Sequence, residues 1–276
     1  MDPERPRHDL ATVVAVAIVA YAVADVLHEG LGHGGACLLV GGRSLVQSTV
    51  HFDCDTHLLG SWAERVVAAG GTIVNLAAGT LMLGLLRRLR HAVSGEVAWL
   101  LWLSMTVNLL SGTGYFLFSG VGGIGDWADF TRGLGPAWVT RIALSLLGAV
   151  TYWRAVRLAV RELAPFVAGV GAARVRTANR LTVPAYLAGG VLSCVAGLLN
   201  PVGMVLVAIS AAAASFGGTS GLAWMPQLLH SDRPGAVLGE AISVRRSLVW
   251  IGAAAVTAAV FILVLGPGVR FAATAL

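Results

Sequence analysis

The residues His28-Glu29-Gly30-Leu31-Gly32-His33 place two imidazoles and a carboxylate within six positions, near the end of an apolar run that starts at Leu10. Ionisable side chains are costly inside a membrane, and those found there usually face a protected interior and serve function. The same residue types form the metal ligands and general base of zinc hydrolases with a His-Glu-x-x-His helix. Here the histidines are one residue further apart, so the set predicts a metal site of unusual geometry.

Two local geometries are compatible with this spacing. In a regular helix His28 and His33 would be about 140° out of register, whereas Glu29 and His33 would share a face. A π-bulge would bring His28 and His33 together; otherwise Glu29 and His33 form the ligand pair and His28 is not a ligand. We favour the bulge because glycine weakens a regular helix, and four glycines lie here: Gly30, Gly32, Gly34 and Gly35.

The composition predicts an all-α polytopic membrane protein. Hydrophobic residues make up 57% of the 276 residues and charged residues 12%, about half the charged fraction of a soluble domain. Apolar runs long enough to span a bilayer are Leu10–Val40, Ala63–Leu86, Val97–Ser119, Ala137–Val160, Val183–Leu199, Val202–Trp224 and Leu248–Leu265. We expect about seven spans, or six if Asn200-Pro201 only kinks one long helix.

The arginines predict the orientation. All 19 basic residues are arginine, and with a cytoplasmic N-terminus fourteen of them fall on the inner side, in agreement with the positive-inside rule. The inner set is Arg5, Arg7, Arg87, Arg88, Arg90, Arg154, Arg157, Arg161, Arg174, Arg176, Arg180, Arg233, Arg245 and Arg246; the outer set is Arg43, Arg65, Arg132, Arg141 and Arg270. We expect a multi-pass protein of a bacterial inner membrane. It should contact the lipid bilayer and bind no nucleic acid.

The chain divides into three predicted parts. Residues 1–161 form a membrane-embedded catalytic unit of four spans, residues 162–180 a linker, and residues 181–276 an accessory unit of three spans. A short β-hairpin is expected between the first two spans, in Gly41–Gly60. A disulfide between Cys37 and Cys54 requires that both face an oxidising compartment.

A second polar cluster lies in this hairpin. Its members follow one another at intervals of two residues: His51, Asp53, Asp55 and His57. On a strand, side chains with this spacing would point to the same face. They form either a second metal or proton-sensing site or a solvated hairpin face.

The first motif resembles two zinc peptidase families. The His-Glu-Leu-Leu-Gly-His helix of the dipeptidyl peptidase III family has the same extra residue, although the likeness covers these six positions only. The wider resemblance, over roughly Leu10–Phe130, is to the site-2 protease family of intramembrane metalloproteases. His28–Arg43 resembles its metal-binding helix and the Gly-Gly-Arg turn that follows, and Gly70–Asn75 resembles its Gly-Pro-x-x-Asn segment, with Thr72 where proline is usual.

The later helix of that family supplies an Asn and an Asp, which Asn108 and Asp126 resemble. The resemblance implies that His28, His33 and Asp126 bind Zn²⁺, with iron or cobalt as other possible metals. Glu29 would then be the general base, and Asn75 and Asn108 would stabilise the oxyanion. Other roles stay open. Asp126 could instead cap the next helix, in which case Asp129 is the next candidate ligand. The two asparagines could instead form hydrogen bonds between helices.

These residues predict an intramembrane zinc metalloprotease that cleaves a transmembrane or membrane-proximal protein substrate, taken up as an unwound strand against Ser48–Asp55. A helical neighbour of the motif, Asp25, is expected to orient an imidazole. A membrane transporter or carrier of metal ions or protons, using the same cluster, is the alternative. A non-catalytic relative that binds a partner helix is the third possibility. The sequence does not specify an oligomeric state.

Overall fold

The computed structural model of the chain describes residues 8–167, 170–201, 203, 207–231 and 241–271. Within these residues, six helices are long and apolar enough to cross a membrane, and a small three-stranded sheet accompanies them. The six spans are Leu10–Leu39, Ser61–Leu89, Gly95–Gly122, Ala137–Phe166, Gly171–Gly197 and Leu248–Leu265. The expected class, a mainly helical multi-pass membrane protein with a hairpin after the first span, is thus confirmed.

The first span is built from three continuous elements. Helix α1, Leu10–Val26, passes into a π-helix, Leu27–Gly34, and then into α2, Gly35–Leu39. The elements that follow are β1 Arg43–Gln47, β2 Phe52–Asp55, α3 Ser61–Leu89, α4 Gly95–Gly122, α5 Asp126–Thr131, α6 Ala137–Leu163, α7 Gly171–Gly197, α8 Gly221–Trp224, α9 Leu248–Val260 and β3 Val269–Arg270.

Helix α4 is the central helix of the bundle. Of its apolar window 72% is buried inside the protein, whereas for Leu248–Leu265 the share is 11%. The core around α4 contains Trp99 and Trp102, which are fully buried and stack at 4.7 Å. The Trp102 indole N–H donates to the Ala159 carbonyl of α6 at 3.0 Å, which leaves no buried donor unpaired on that ring. Residues of α1, which leads into the motif, belong to this same buried core.

The sheet covers the π-helix end of the first span. Its strand order is β2-β1-β3, with antiparallel pairing and a register shift between Ser44 and Val46. The expected hairpin is confirmed, but the third strand comes from the segment that follows the last span. Gln47 and Phe52 pack closely on the motif helix. A Cβ added to Gly30 would lie 2.8 Å from Gln47 Nε2, and a Cβ added to Gly34 would lie 2.9 Å from Phe52 Cε2.

An extended segment, Ile242–Ser247, crosses the helix ends at the opposite side of the bundle, and we call it the strap. His8 donates from Nε2 to the Phe166 carbonyl at 3.0 Å and accepts the Val244 N–H on Nδ1 at 3.3 Å. Only a neutral imidazole satisfies both bonds. Burial lowers the pKa of His8 and outweighs the raising effect of the hydrogen bond to Phe166.

The predicted fifth span begins too late. Helix α7 starts at Gly171 rather than at Val183, so most of the predicted linker 162–180 is helical. Hydropathy detects only the apolar part of a helix, and the first turns of α7 carry Arg174, Arg176 and Arg180. Pro184 lies inside α7 and does not end it. The division into a catalytic and an accessory unit stays a prediction.

The predicted span Val202–Trp224 falls partly outside the described residues. Asn200 donates to the Gly266 carbonyl at 3.2 Å, at the sheet end of the bundle. The Ile242 N–H donates to the Pro165 carbonyl at 2.9 Å, at the strap end. The chain thus returns from one end to the other between Asn200 and Ile242, and its described part consists of short helices: a π-helix Val207–Gly217, α8 and a 3-10 helix Met225–Ser231. Seven full spans stay a prediction. The count of six matches the described helices, but α7 ends at Gly197, so Asn200-Pro201 does not kink one long helix.

Candidate metal site

The π-helix brings the two histidines of the motif together. Residues Leu27–Gly34 form a π-helix, in which the wider turn places residues five apart on one side. The Nε2 atoms of His28 and His33 are 3.2 Å apart, and both side chains are buried. The expected bulge is therefore confirmed, and His28 faces His33. That both histidines are metal ligands stays a prediction.

Gly71 of α3 makes room for the imidazoles, and its neighbour Gly70 makes room for the backbone of the motif helix. Gly32 approaches so closely that a Cβ on it would lie 2.5 Å from the Gly71 Cα. A Cβ on Gly71 would lie 2.5 Å from His28 Cε1 and 2.7 Å from His33 Nε2. Since real side chains do not approach so closely, Gly71 is required for the histidines to sit where they do. The sequence resemblance included Gly71 but assigned it no role.

Asp126 completes a triangle with the two histidines. Its Oδ2 lies 3.3 Å from His28 Nε2 and 3.4 Å from His33 Nε2. It is the first residue of α5, whose N-cap is Gly125, with no side-chain capping bond. The capping role therefore does not apply. Asp129 instead forms an exposed ion pair with Arg132.

Helix α5 is fixed to α3 by the neighbours of Asp126. The Trp127 indole N–H donates to Thr72 Oγ1 at 2.9 Å, and Arg65 Nε donates to the Phe130 carbonyl at 3.1 Å. Thr72 is fully buried. Thr72 stands where the site-2 protease family usually has proline, and here it anchors the helix that carries Asp126.

The triangle has the dimensions of a tetrahedral metal site. An ion with bonds of about 2.0–2.1 Å to three tetrahedral ligands separates the ligand atoms by about 3.3 Å. The observed edges, 3.2, 3.3 and 3.4 Å, match this spacing. These three atoms are therefore spaced as three ligands of one tetrahedral ion would be. The donor set, two imidazoles and one carboxylate, is that of catalytic zinc.

The protonation pattern also fits a cation. His33 Nδ1 lies 2.7 Å from the Val67 carbonyl, which can only accept, so His33 carries a proton on Nδ1 and its other ring nitrogen, Nε2, faces the triangle. His28 Nδ1 and Asp126 Oδ2 have no hydrogen-bond partner among the described residues. His28 can thus carry its proton on Nδ1 and free Nε2 for a metal.

The charge on Asp126 is stabilised locally. Burial would raise the pKa of its carboxyl, but the neighbouring His33 and His28 lower the pKa below its ordinary value. The pKa of Asp129, by contrast, is raised by burial and by the nearby carboxylates of Asp126 and Glu64, against the pull of Arg132. Asp126 is therefore the acidic residue of α5 that is held ionised at the site.

Glu29 stands beside the triangle. Single ligand atoms of His28, Glu29 and His33 all lie within 4.8 Å of one another, and this buried group can hold a metal ion. Glu29 is 6% exposed, and its Oε2 has no hydrogen-bond partner among the described residues. A buried carboxylate without a partner is costly, so its place next to the histidines favours a chemical role.

A cavity of about 60 Å³ opens from the site between α1, α3, α4 and α7. It has room for several water molecules, each of which needs about 10–15 Å³ by this measure. Asn75 lines it, and the Oδ1 of Asn75 has no partner among the described residues. Asn108 does not line it; its amide donates to the Ser104 carbonyl one turn back, at 2.8 Å. Asn75 thus lines the cavity beside the metal site, whereas the Asn108 amide is bonded within its own helix.

Tyr115 is a site residue that the sequence interpretation missed. Its ring stacks on His28 with centroids 4.6 Å apart and an angle of 17° between the planes. It also lines the cavity. Tyr115 lies seven residues after Asn108, two turns further along nearly the same face of α4. That spacing was the available signal.

The hairpin cluster separates into local pairs. His51 bonds to Ser48 at 3.0 Å, whereas His57 bonds to Asp55, which Arg43 also approaches at 3.5 Å. Because β2 covers only Phe52–Asp55, the two histidines lie outside the strand. The hairpin cluster is not among the groups with metal-ligand spacing in the described part of the chain, so the solvated-face alternative fits better.

Cys37 and Cys54 form the disulfide that the sequence left open. It joins α2 to β2 and so ties the sheet to the motif helix. A Cβ on Gly42 would lie 2.7 Å from Cys54 Sγ, so the turn before β1 packs directly on the bridge.

No family model, curated protein or solved structure matches this chain. The fold and the site therefore define a class only: a multi-pass membrane protein with a buried His-Glu-His group that can hold a metal ion. Membership of the site-2 protease family stays a prediction.

Proposed function

We propose that this chain is an intramembrane zinc metalloprotease related to the site-2 proteases. The supporting observation is the triangle of His28, His33 and Asp126, with edges of 3.2–3.4 Å, inside a membrane-spanning bundle and next to an unpartnered Glu29. A structural zinc site would have four protein ligands, whereas three leave a position for water.

The proposed roles follow from these positions. His28, His33 and Asp126 would hold zinc, which supplies an activated water and polarises the scissile carbonyl. Glu29 accepts a proton from the attacking water on its free carboxylate oxygen and gives it to the leaving amine. The Asn75 amide donates a hydrogen bond to the oxyanion as the tetrahedral carbon forms. The cavity holds the water that hydrolysis consumes.

The substrate in this proposal is a transmembrane or membrane-proximal polypeptide in extended form. One edge of β1 is paired with β2 and the other with β3. The outer edge of β2, Phe52–Asp55, is unpaired among the described residues and offers backbone groups to an added strand. The Cys37–Cys54 bridge and the arginine distribution both favour a site that opens to the outer side of a bacterial inner membrane, with a cytoplasmic N-terminus.

The test combines metal analysis with a conservative variant of the base. Purified protein should contain about one zinc per chain, and Glu29→Gln should keep that zinc while cleavage of a fluorogenic transmembrane-segment substrate falls about 10²–10⁴-fold. Glu64→Gln removes an exposed carboxylate on α3 and should change neither quantity.

Other outcomes would contradict the proposal. Wild-type protein without zinc, or full cleavage by Glu29→Gln, would exclude the zinc hydrolase. Zinc or proton flux into proteoliposomes without any cleavage would support the carrier in its place.

A further inference from the structure

Tyr115 differs from the other tyrosines of the chain because its hydroxyl is free. The chain has four tyrosines, and all of them lie in the described residues. Three bond through their hydroxyls to groups of the segment 216–220, at 2.7–3.2 Å: Tyr21, Tyr152 and Tyr186. In the described part of the chain the Tyr115 hydroxyl has no hydrogen-bond partner. Tyrosine hydroxyls inside a protein usually find one, so the free hydroxyl of Tyr115 requires an explanation.

The stack on His28 does not explain this hydroxyl. The two ring centroids are 4.6 Å apart and the planes are nearly parallel, at 17°. A phenylalanine ring would stack on His28 equally well. It would also avoid placing an unpaired polar atom inside the bundle, which is costly. The Tyr115 hydroxyl therefore fits a partner that the chain itself does not supply.

The surroundings of the hydroxyl are those of the metal site. Tyr115 lines the cavity together with His28, Glu29 and Asn75. Among the charged groups, the Asp126 carboxylate acts most strongly on its hydroxyl and the Glu29 carboxylate next. The hydroxyl thus lies on the side of the stack that faces the proposed metal ligands and the proposed base. A phenolic hydroxyl keeps its proton at pH 7 and can donate it in a hydrogen bond.

The proposed mechanism lacks one of its two expected donors to the oxyanion. The sequence assigned that role to Asn75 and Asn108, but the Asn108 amide donates to the Ser104 carbonyl at 2.8 Å. Tyr115 follows Asn108 by seven residues, two turns along nearly the same face of α4. The helix that was expected to supply the second donor therefore still presents one, at Tyr115.

We propose that Tyr115 is a catalytic residue whose hydroxyl donates a hydrogen bond to the oxyanion, together with the Asn75 amide. This inference rests on the proposed protease function and adds a residue to it. The hydroxyl keeps its proton throughout, so no proton transfer accompanies the bond. The bond strengthens as negative charge develops on the carbonyl oxygen, and it therefore favours the transition state over the bound substrate.

The decisive experiment measures binding and needs no cleavage. One probe is a phosphinic analogue of alanyl-alanine, whose tetrahedral phosphinate mimics the oxyanion; the other is imidazole, which binds zinc but carries no oxygen. Each is titrated at pH 7 into zinc-loaded full-length protein in nanodiscs, with calorimetry as the readout. Tyr115→Phe should bind the phosphinate at least about 10-fold more weakly than wild type, whereas its imidazole affinity and zinc content should stay within about threefold.

Tyr21→Phe is the matched control. Tyr21 lines the same cavity, but its hydroxyl is bonded to Thr219 at 2.7 Å. This variant should bind both probes as the wild type does. In cleavage of the transmembrane-segment substrate, Tyr115→Phe should lower kcat about 10²–10³-fold with KM nearly unchanged, because the lost bond forms only in the transition state.

Two results would overturn the inference. If Tyr115→Phe bound the phosphinate as tightly as the wild type, the hydroxyl would not contact the oxyanion. If phosphinate and imidazole affinity fell equally, Tyr115 would only support His28. Either result in a protein whose wild type holds zinc and binds the phosphinate removes the role of Tyr115 and leaves the protease proposal standing. A wild type without zinc would remove both.

Discussion

Gly71 gives the most direct test of the metal site, because its α-hydrogen faces both imidazoles. In Gly71→Ala the added Cβ would lie 2.5 Å from His28 Cε1, 2.6 Å from His28 Nε2 and 2.7 Å from His33 Nε2. Ordinary contacts between such atoms are about 3.5–4.0 Å. One or both rings must therefore move by about 1 Å, since the Cβ is fixed to a long helix.

A shift of that size is large for a metal ligand. Zinc sites keep ligand distances within about 0.2 Å, and losing only the support of a ligand lowers metal affinity about 10–100-fold. Displacing the ligands themselves should exceed that range, so we expect zinc affinity to fall by more than about 100-fold in Gly71→Ala. Chelator competition with purified protein measures this ratio directly.

The matched control lies on the same helix. A Cβ on Gly84 would meet nothing within 4 Å, and alanine is favoured over glycine in a helix by about 0.8–1.0 kcal/mol. Gly84→Ala should therefore retain wild-type zinc affinity, with unchanged or slightly higher thermal stability. If Gly71→Ala bound zinc as tightly as Gly84→Ala does, the two imidazoles would not be the ligands or would not lie against Gly71.

Four further predictions concern groups around the site and at the strap. Tyr115→Phe should keep zinc affinity because the ring stack survives, whereas Tyr115→Leu should lower it about tenfold in the same chelator assay. Thr72→Val should cost about 1 kcal/mol in thermal unfolding through the lost tryptophan hydrogen bond and should also weaken zinc binding, and Thr72→Ser should restore both. The pKa of His8 is lowered in the folded protein, where the imidazole is neutral, so the unfolded chain binds more protons at acidic pH. The free energy of unfolding should therefore fall as the pH drops below about 6.5. In His8→Gln the melting temperature should depend less on pH in that range. Reduction of the Cys37–Cys54 bridge, 17 residues apart, should lower stability by about 3 kcal/mol, and thiol labelling of cells should find both cysteines protected until a reductant is added.

These four predictions can each fail on their own. Equal zinc affinity of the phenylalanine and leucine variants would show that the stack does not position His28. A threonine-to-valine change without effect would show that α5 is held by other contacts. If the stability of the wild-type protein did not change with pH, protonation of His8 would not be linked to unfolding. If Cys37 and Cys54 were labelled without reductant, the sheet would lie in a reducing compartment.

The sequence by itself determined the features that depend on neighbours along the chain. Apolar runs longer than a bilayer is thick require membrane-spanning helices, and five of the six described spans begin within two residues of their predicted starts. The π-helix was also predictable, because a five-residue spacing and four glycines are local properties. The fifth span was misplaced since its first turns are polar, and hydropathy does not distinguish a polar helical turn from a linker.

Only the tertiary structure decided which distant residues meet. Asp126 reaches His28 and His33 because Thr72 and Trp127 dock α5 on α3, a contact that no periodicity encodes. The same packing places Tyr115 on His28 and directs the Asn108 amide to its own helix. Side-chain types and spacing specify local conformation, whereas convergence of groups almost a hundred residues apart depends on how closely helices approach. That approach was set here by Gly70 and Gly71, whose missing side chains leave room for the backbone of the motif helix and for the imidazoles.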